Sequence, residues 1–176
     1  MPTISFSAQL HNPDINSKSS PATLLTLPRE VSAKLPSRGT VMVEGTINDF
    51  HFRGAMEPDG KASHWFRIPK KVREVIKVDT GDTVSLKIMP TKLWPEPKLP
   101  ADLERALATD PQAQVLWMDI TPMARWEWIR WVESVKLTET RIERPEKLRS
   151  MLKAGKRRPC CFNRAVLSAP KSIELI

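Results

Sequence analysis

Leu27-Pro28-Arg29-Glu30-Val31-Ser32-Ala33-Lys34-Leu35 is followed, forty-one residues on, by Ile68-Pro69-Lys70-Lys71-Val72-Arg73-Glu74-Val75-Ile76. Each stretch ends a short apolar strand, passes through a proline and continues as a short helix. Proline at a first helical position loses nothing, because that N–H has no intrahelical partner. Val31 and Leu35 lie four apart, as do Val72 and Ile76, so each helix carries one apolar face. The flanks agree as well. Thr23-Leu24-Leu25-Thr26 leads into the first copy and His64-Trp65-Phe66-Arg67 into the second. Gly39 and Gly81 mark the following turns, one residue out of step, and the strands Val41–Ile47 and Val84–Ile88 come next. Two copies of one strand-helix-strand unit can bury faces that neither could bury alone. The expected fold is α+β: a small closed β-barrel with a pseudo-twofold strand-helix-strand duplication, followed by an α-helical domain.

Outward from the repeat, Phe6, Ala8 and Leu10 alternate with polar residues and read as an opening strand. His11 to Ala22 reads as a loop. Between the copies, Asn48-Asp49 suits a hairpin turn and Pro58-Asp59-Gly60 a second turn. The strand between them carries Phe50, Phe52 and Ala55, with a bend at Gly54. Leu93 to Pro100 holds three prolines and reads as a linker.

Helix signals then come in series. Pro100-Ala101-Asp102 opens a helix with Leu103, Ala106 and Leu107 on one face. Asp110-Pro111 and Thr121-Pro122 each pair an N-cap residue with a first-turn proline. The first starts a helix whose apolar residues are Val115, Leu116 and Met118. The second starts the longest helix, Met123 to about Leu137, with Trp128, Trp131, Val132 and Val135 as its core stripe. Arg125, Glu127, Arg130, Glu133 and Lys136 fill its polar remainder, with Glu127–Arg130 and Glu133–Lys136 as candidate pairs. Pro145 starts or kinks a last helix with Leu148, Met151 and Leu152, which Gly155 closes. The predicted domains are 1–95 for the barrel, 96–158 for the helical domain and 159–176 for a basic C-terminal tail. Trp94 and Trp126 are candidate exposed anchors.

The 176 residues carry a net charge of +8, and 40% are hydrophobic. That composition supports a buried core and argues against global disorder. The surplus favours anionic partners or serves solubility alone. It is concentrated from Arg141 to Arg164, where nine Lys/Arg face two Glu, a net +7. The candidate anion- or partner-binding residues are therefore Arg141, Arg144, Lys153, Lys156, Arg157 and Arg158, with Lys70, Lys71 and Arg73 as a second patch. No run of apolar residues reaches membrane-spanning length. Met1 to Leu10 lacks the marks of a signal peptide. Cys160 and Cys161 are adjacent, a poor geometry for a mutual disulfide, and read as free thiols. These points predict a cytoplasmic protein without membrane insertion.

Pro100-Ala101-Asp102-Leu103 with Ala106-Leu107 forms one part of a longer pattern. The rest is Pro122 with Arg125-Trp126-Glu127-Trp128-Ile129-Arg130-Trp131-Val132, Lys136 with Glu139-Thr140-Arg141, and Gly155-Lys156-Arg157-Arg158. Together these residues resemble the YdeI/OmpD-associated family, also called bacteriocin-protection proteins. The first half, through Leu27-Pro28, Gly45-Thr46-Ile47-Asn48 and Gly81-Asp82-Thr83-Val84, resembles the small β-barrel domain of unknown function that often precedes it. The resemblance implies a fold and an association with bacteriocin tolerance and envelope stress. It implies no reaction and no catalytic residues. Phe66 to Ile76 with Gly81-Asp82 is also similar to one half of AbrB-type transcription factors, which grip DNA with swapped β-hairpins and basic side chains.

The residues themselves show no catalytic set. His11, His51 and His64 are scattered without a Cys, Asp or Glu at metal-ligand spacing. There is no phosphate loop and no nucleophile elbow. Catalytic, cofactor-binding and metal residues are therefore predicted as none. Cys160 and Cys161, flanked by arginines, are either ordinary thiols or a redox sensor. The expectation is a non-enzymatic binding or stress-tolerance protein, its partner an unidentified protein or anionic ligand. The alternative is an AbrB-like, nucleic-acid-binding regulator.

Overall fold

The computed structural model describes residues 2–13, 22–135, 137–159 and 173–176. The chain divides into two compact units, Met1–Leu93 with Ala169–Ile176, and Trp94–Ser168.

The first unit holds β1 (Ile4–His11), β2 (Leu24–Thr26), α1 (Arg29–Ser32), β3 (Val41–Ile47), β4 (Phe50–Pro58), β5 (His64–Arg67), α2 (Lys70–Ile76), β6 (Thr83–Pro90) and β7 (Glu174–Leu175). Six antiparallel strands close in the order β3-β6-β1-β2-β5-β4, with β4 returning to β3. Alternation fills the barrel: Val84, Leu86 and Ile88 point inward, and Thr83, Ser85 and Lys87 outward. Phe52 and Phe66 stack at its centre, ring centroids 6.0 Å apart.

The register makes the duplication explicit. Leu25 pairs with Phe66 and Thr46 with Lys87. Each pair differs by 41, so both lie on the pseudo-twofold axis. The neighbouring pairs are reciprocal: Leu24 with Arg67 and Thr26 with Trp65, then Gly45 with Ile88 and Ile47 with Leu86. The symmetry reaches further than the repeat in sequence. His11 opposes Leu24 as Glu57 opposes Trp65, and Phe6 opposes Leu86 as Phe52 opposes Gly45. Hence β1 and β4 are equivalent at an offset of 46, and each half is β-β-α-β. The strand predicted between the copies is the first strand of the second copy.

Local chemistry explains the connections. Asn48 and Asp49 both take positive φ, as a two-residue hairpin turn requires. Gly45 allows β3 to approach β6, since a Cβ there would lie 1.9 Å from the Lys87 carbonyl oxygen. Pro28, Pro69 and Pro100 occupy N-cap positions, one residue earlier than predicted.

The predicted tail is divided differently. Its last residues, Ile173 to Ile176, belong to the first unit. There β7 pairs with Phe52 and Arg53 of β4, and Ile173 is buried over Gly54. Gly54 stays in register with Val43, without a bulge, and makes room for Ile173. Cys160, Cys161 and Arg164 lie outside the described residues.

The second unit holds α3 (Ala101–Ala108), α4 (Pro111–Asp119), α5 (Pro122–Glu133) and α6 (Thr138–Lys153). Asp110 and Thr121 cap α4 and α5 through the N–H groups of Ala113 and Ala124, as predicted. α6 packs against the other three helices. It begins at Thr138 and runs through Pro145, so that proline neither starts nor ends it. Gly155 closes it at φ +85, with Lys156 N–H bonding Met151 and Gly155 N–H bonding Leu152. On α4 the buried residues are Ala113 and Trp117, while Val115 and Met118, two of the three apolar residues that the sequence singled out, face solvent. α5 ends at Glu133, and its buried face includes Arg125 and Glu127, which the sequence placed on the polar side. The stretch read as a linker is tied down within this unit: Trp126 donates to the Pro95 carbonyl at 2.7 Å, and Glu96 pairs with Arg125.

Candidate functional site

The predicted cationic residues come first. Arg141 forks onto Asp102 of α3 through both carboxylate oxygens. Burial opposes ionisation of Asp102, but the Arg141 hydrogen bond and charge outweigh it and hold the carboxyl below its usual range. Lys153 reaches Asp110 at 2.5 Å and Arg149 the same carboxylate at 3.6 Å. The Lys153 hydrogen bond, with the Ala113 N–H next, keeps Asp110 ionised below the ordinary range. Arg157 binds Asp119 at 2.6 Å and also its backbone carbonyl. Arg158 lies 3.6 Å from the buried Glu127. Arg144 stacks on Trp131, 3.8 Å from the ring centroid. Lys156 also has a partner.

These side chains staple α6 and the segment after it to α3, α4 and α5. The net +7 of the segment is a property of the sequence window. Across residues 94–159, thirteen Lys/Arg meet ten Asp/Glu, a net +3. Trp126 is tied to Pro95, and only Trp128 among the tryptophans is fully buried.

The second patch is likewise partly neutralised. Arg73 binds Asp79 at 2.6 Å and Lys70 lies 3.8 Å from Glu74. The Thr80 N–H and then the Arg73 guanidinium, against some burial, hold Asp79 below its usual range. Lys71 is exposed and makes no ion pair among the described residues.

Residues outside the predicted cationic patches form a cleft of about 620 Å³ on the first unit. It runs between the α1–β3 segment and the β4–β5 turn, and its polar lining is Arg29, Ser32, Ser37, Arg38, Ser63 and His64. His64 is 2% exposed. Its Nε2 lies 2.9 Å from the Gly39 carbonyl, which can only accept, so Nε2 carries a proton. In the neutral ring Nδ1 is then the acceptor for the Ser32 hydroxyl, 2.6 Å away. Ser63 donates to the Leu27 carbonyl. Ser37 accepts the Gly39 N–H and keeps its own hydroxyl proton available. Arg29 and Arg38 are exposed and form no ion pair among the described residues. Asp59 on the facing turn is engaged by the N–H groups of Lys61 and Ser63.

The pseudo-twofold supplies an internal comparison. A second cleft, of about 420 Å³, lies beside α2 and includes Lys70, Arg73, Glu74, Lys77, Val78 and Asp79. At an offset of 41, these are the equivalents of Arg29, Ser32, Ala33, Pro36, Ser37 and Arg38. The Arg73–Asp79 ion pair thus stands where the first cleft has Ser32 and Arg38. The place of the His64–Gly39 contact is taken by Thr23 and Thr80, hydroxyl to hydroxyl at 2.9 Å. The fold therefore needs only a hydrogen-bonded polar pair at that point. Histidine, and two guanidinium groups without an ion pair among the described residues, are features of the first cleft alone.

Residues 96–155 match the model of the family described as bacteriocin-protection, YdeI or OmpD-associated. Residues 6–88 match that of a domain of unknown function, DUF1905. The chain carries a YdeI/OmpD-associated domain. The ion-paired helical bundle is its YdeI/OmpD-associated domain, and the duplicated barrel with the two clefts is its DUF1905 domain. No curated protein matches the chain. Among the described residues, no helix is long and apolar enough to cross a membrane. No three His, Cys, Asp or Glu side chains gather among them as a metal site.

Proposed function

We propose that this protein binds a small ligand without transforming it, and that the DUF1905 barrel carries the binding site in the cleft beside α1. The divergence of this cleft from its twofold twin carries the reading. One half fills this fold position with its own Arg73–Asp79 ion pair, and the other carries Arg29 and Arg38 with no carboxylate partner among the described residues.

Binding is favoured over turnover by the state of the donors. Ser32 and His64 satisfy each other beneath the cleft. The N–H groups of Ser32 and Ala33 are spent on the Pro28 and Arg29 carbonyls. Neither of these two N–H groups is left to stabilise an oxyanion at Ser32, the element that acyl transfer at a serine requires. The protective role in the family description then follows from occupancy of a site, not from a reaction. The nucleic-acid alternative is weakened by the carboxylate partners of Arg141, Lys153, Arg157 and Arg158. Incubation of the full chain with a metabolite mixture, followed by mass spectrometry, tests the reading. It predicts a retained and chemically unchanged ligand. Turnover that disappears in Ser32→Ala would overturn it.

A further inference from the structure

We infer that the cleft beside α1 takes a small oxyanion, the carboxylate or phosphate end of a soluble metabolite, held by Arg29, Arg38 and the Ser37 hydroxyl. This rests on the binding reading above and adds the ligand's chemistry. Three observations converge on it. Arg29 and Arg38 are the charged side chains of the lining, and neither has a carboxylate partner among the described residues. In the twin cleft, the residue at the Arg38 position is Asp79, which closes on Arg73. There the fold supplies its own carboxylate, and the first cleft leaves that role to a ligand.

The hydroxyls point the same way. Ser32 is bonded to His64 and Ser63 donates to the Leu27 carbonyl, whereas Ser37 only accepts, from the Gly39 N–H, and keeps its hydroxyl proton for a ligand. Two guanidinium groups and one hydroxyl donor, with the nearby Asp59 carboxylate turned into its own loop, favour an anion over a cation or a neutral group. The volume, about 620 Å³, suits a small molecule and not a polymer.

Isothermal titration of the full chain with sodium phosphate and with sodium acetate, at constant ionic strength, tests the assignment. Saturable binding of at least one anion is expected, and which one binds separates the phosphate source from the carboxylate source. Arg29→Ala and Arg38→Ala should each weaken it by about tenfold or more, the scale of one charge-assisted hydrogen bond. Lys70→Ala, at the twin position of Arg29, should leave it unchanged. All three side chains are exposed, and unchanged melting curves would establish that the variants are folded. Absence of saturable binding by either anion would overturn the assignment, as would equal weakening by Lys70→Ala. A neutral metabolite that binds the wild type and both arginine variants alike would overturn the oxyanion while leaving the binding function standing.

Discussion

Leu27 and Ile68 occupy the same position in two copies of one unit. The Leu27 N–H bonds the His64 carbonyl at 2.8 Å, and the Ile68 N–H bonds the Thr23 carbonyl at 2.9 Å. Each acceptor is the twofold equivalent of the other, and both side chains are buried, at 2% and 1% exposure. The two halves thus hold each other shut through reciprocal bonds at the point where each strand turns into its helix. The clefts open beside these points, which is why a comparison between halves carries functional meaning.

Closure of the barrel depends on the approach of β3 to β6 at Gly45. Gly45→Ala should destabilise the DUF1905 unit by about 3 kcal/mol, because backbone must move and no flexible side chain can yield. Gly81→Ala, where nothing lies within 4 Å and only a φ of +98 is at stake, should cost about 1 kcal/mol. Denaturant titrations of the two variants check the order.

The C-terminal strand is held by a notch. At Gly54 a Cβ would meet the Ile173 side chain at 2.5 Å, so Gly54→Ala should loosen β7 and expose the C-terminus to limited proteolysis. Adding Ile173→Ala should cost less in the Gly54→Ala background than in the wild type, because the two changes act on one contact.

Acid should weaken the YdeI/OmpD-associated bundle through Asp102. Its folded-state pKa is depressed, chiefly by Arg141 working against burial. It therefore contributes stability above the unfolded value of about 3.9, and that contribution is lost as pH falls through the depressed value. Asp102→Asn cannot ionise, so its stability should depend less on pH below about 5. At neutral pH the loss should be about 1 kcal/mol or less, because the pair is partly solvated. Five of the six tryptophans lie in this unit, so tryptophan fluorescence reports it directly.

Duplex DNA should bind weakly. With the α6 cations occupied, a fluorescence-anisotropy titration should give a log–log salt slope of magnitude about 2 or less. A slope of magnitude about 6 would mean that the ion pairs open to phosphates, and it would restore the regulator reading.

Much of the fold could be read from local chemistry. Pro28 and Pro69, the Asn48-Asp49 turn, the Asp110 and Thr121 caps and Gly155 each act through neighbours a few residues away. The equivalence of β1 and β4 was hidden because the loops after them differ in length, which shifts the offset from 41 to 46 and breaks the repeat in sequence. The cleft was hidden because Ser32 and His64 are 32 residues apart and meet only once the barrel closes. The cationic residues were visible, but their partners were not. Asp102 lies 39 residues before Arg141 and Asp119 lies 38 before Arg157, so a charge window cannot see the neutralisation. Arg125 falls on the polar side of α5 by periodicity alone, which ignores the carbonyl of Ile120, the residue that ends α4, to which it donates.

The account turns on one half of the barrel being a site and the other being its ion-paired counterpart. Amide chemical shifts of the full chain during a phosphate titration test this most directly. The account predicts saturable shifts at Ser32, Ser37, Arg38 and His64, with Arg73, Val78, Asp79 and Thr23 unmoved. Equal shifts at both sets, or shifts confined to α6, would contradict it.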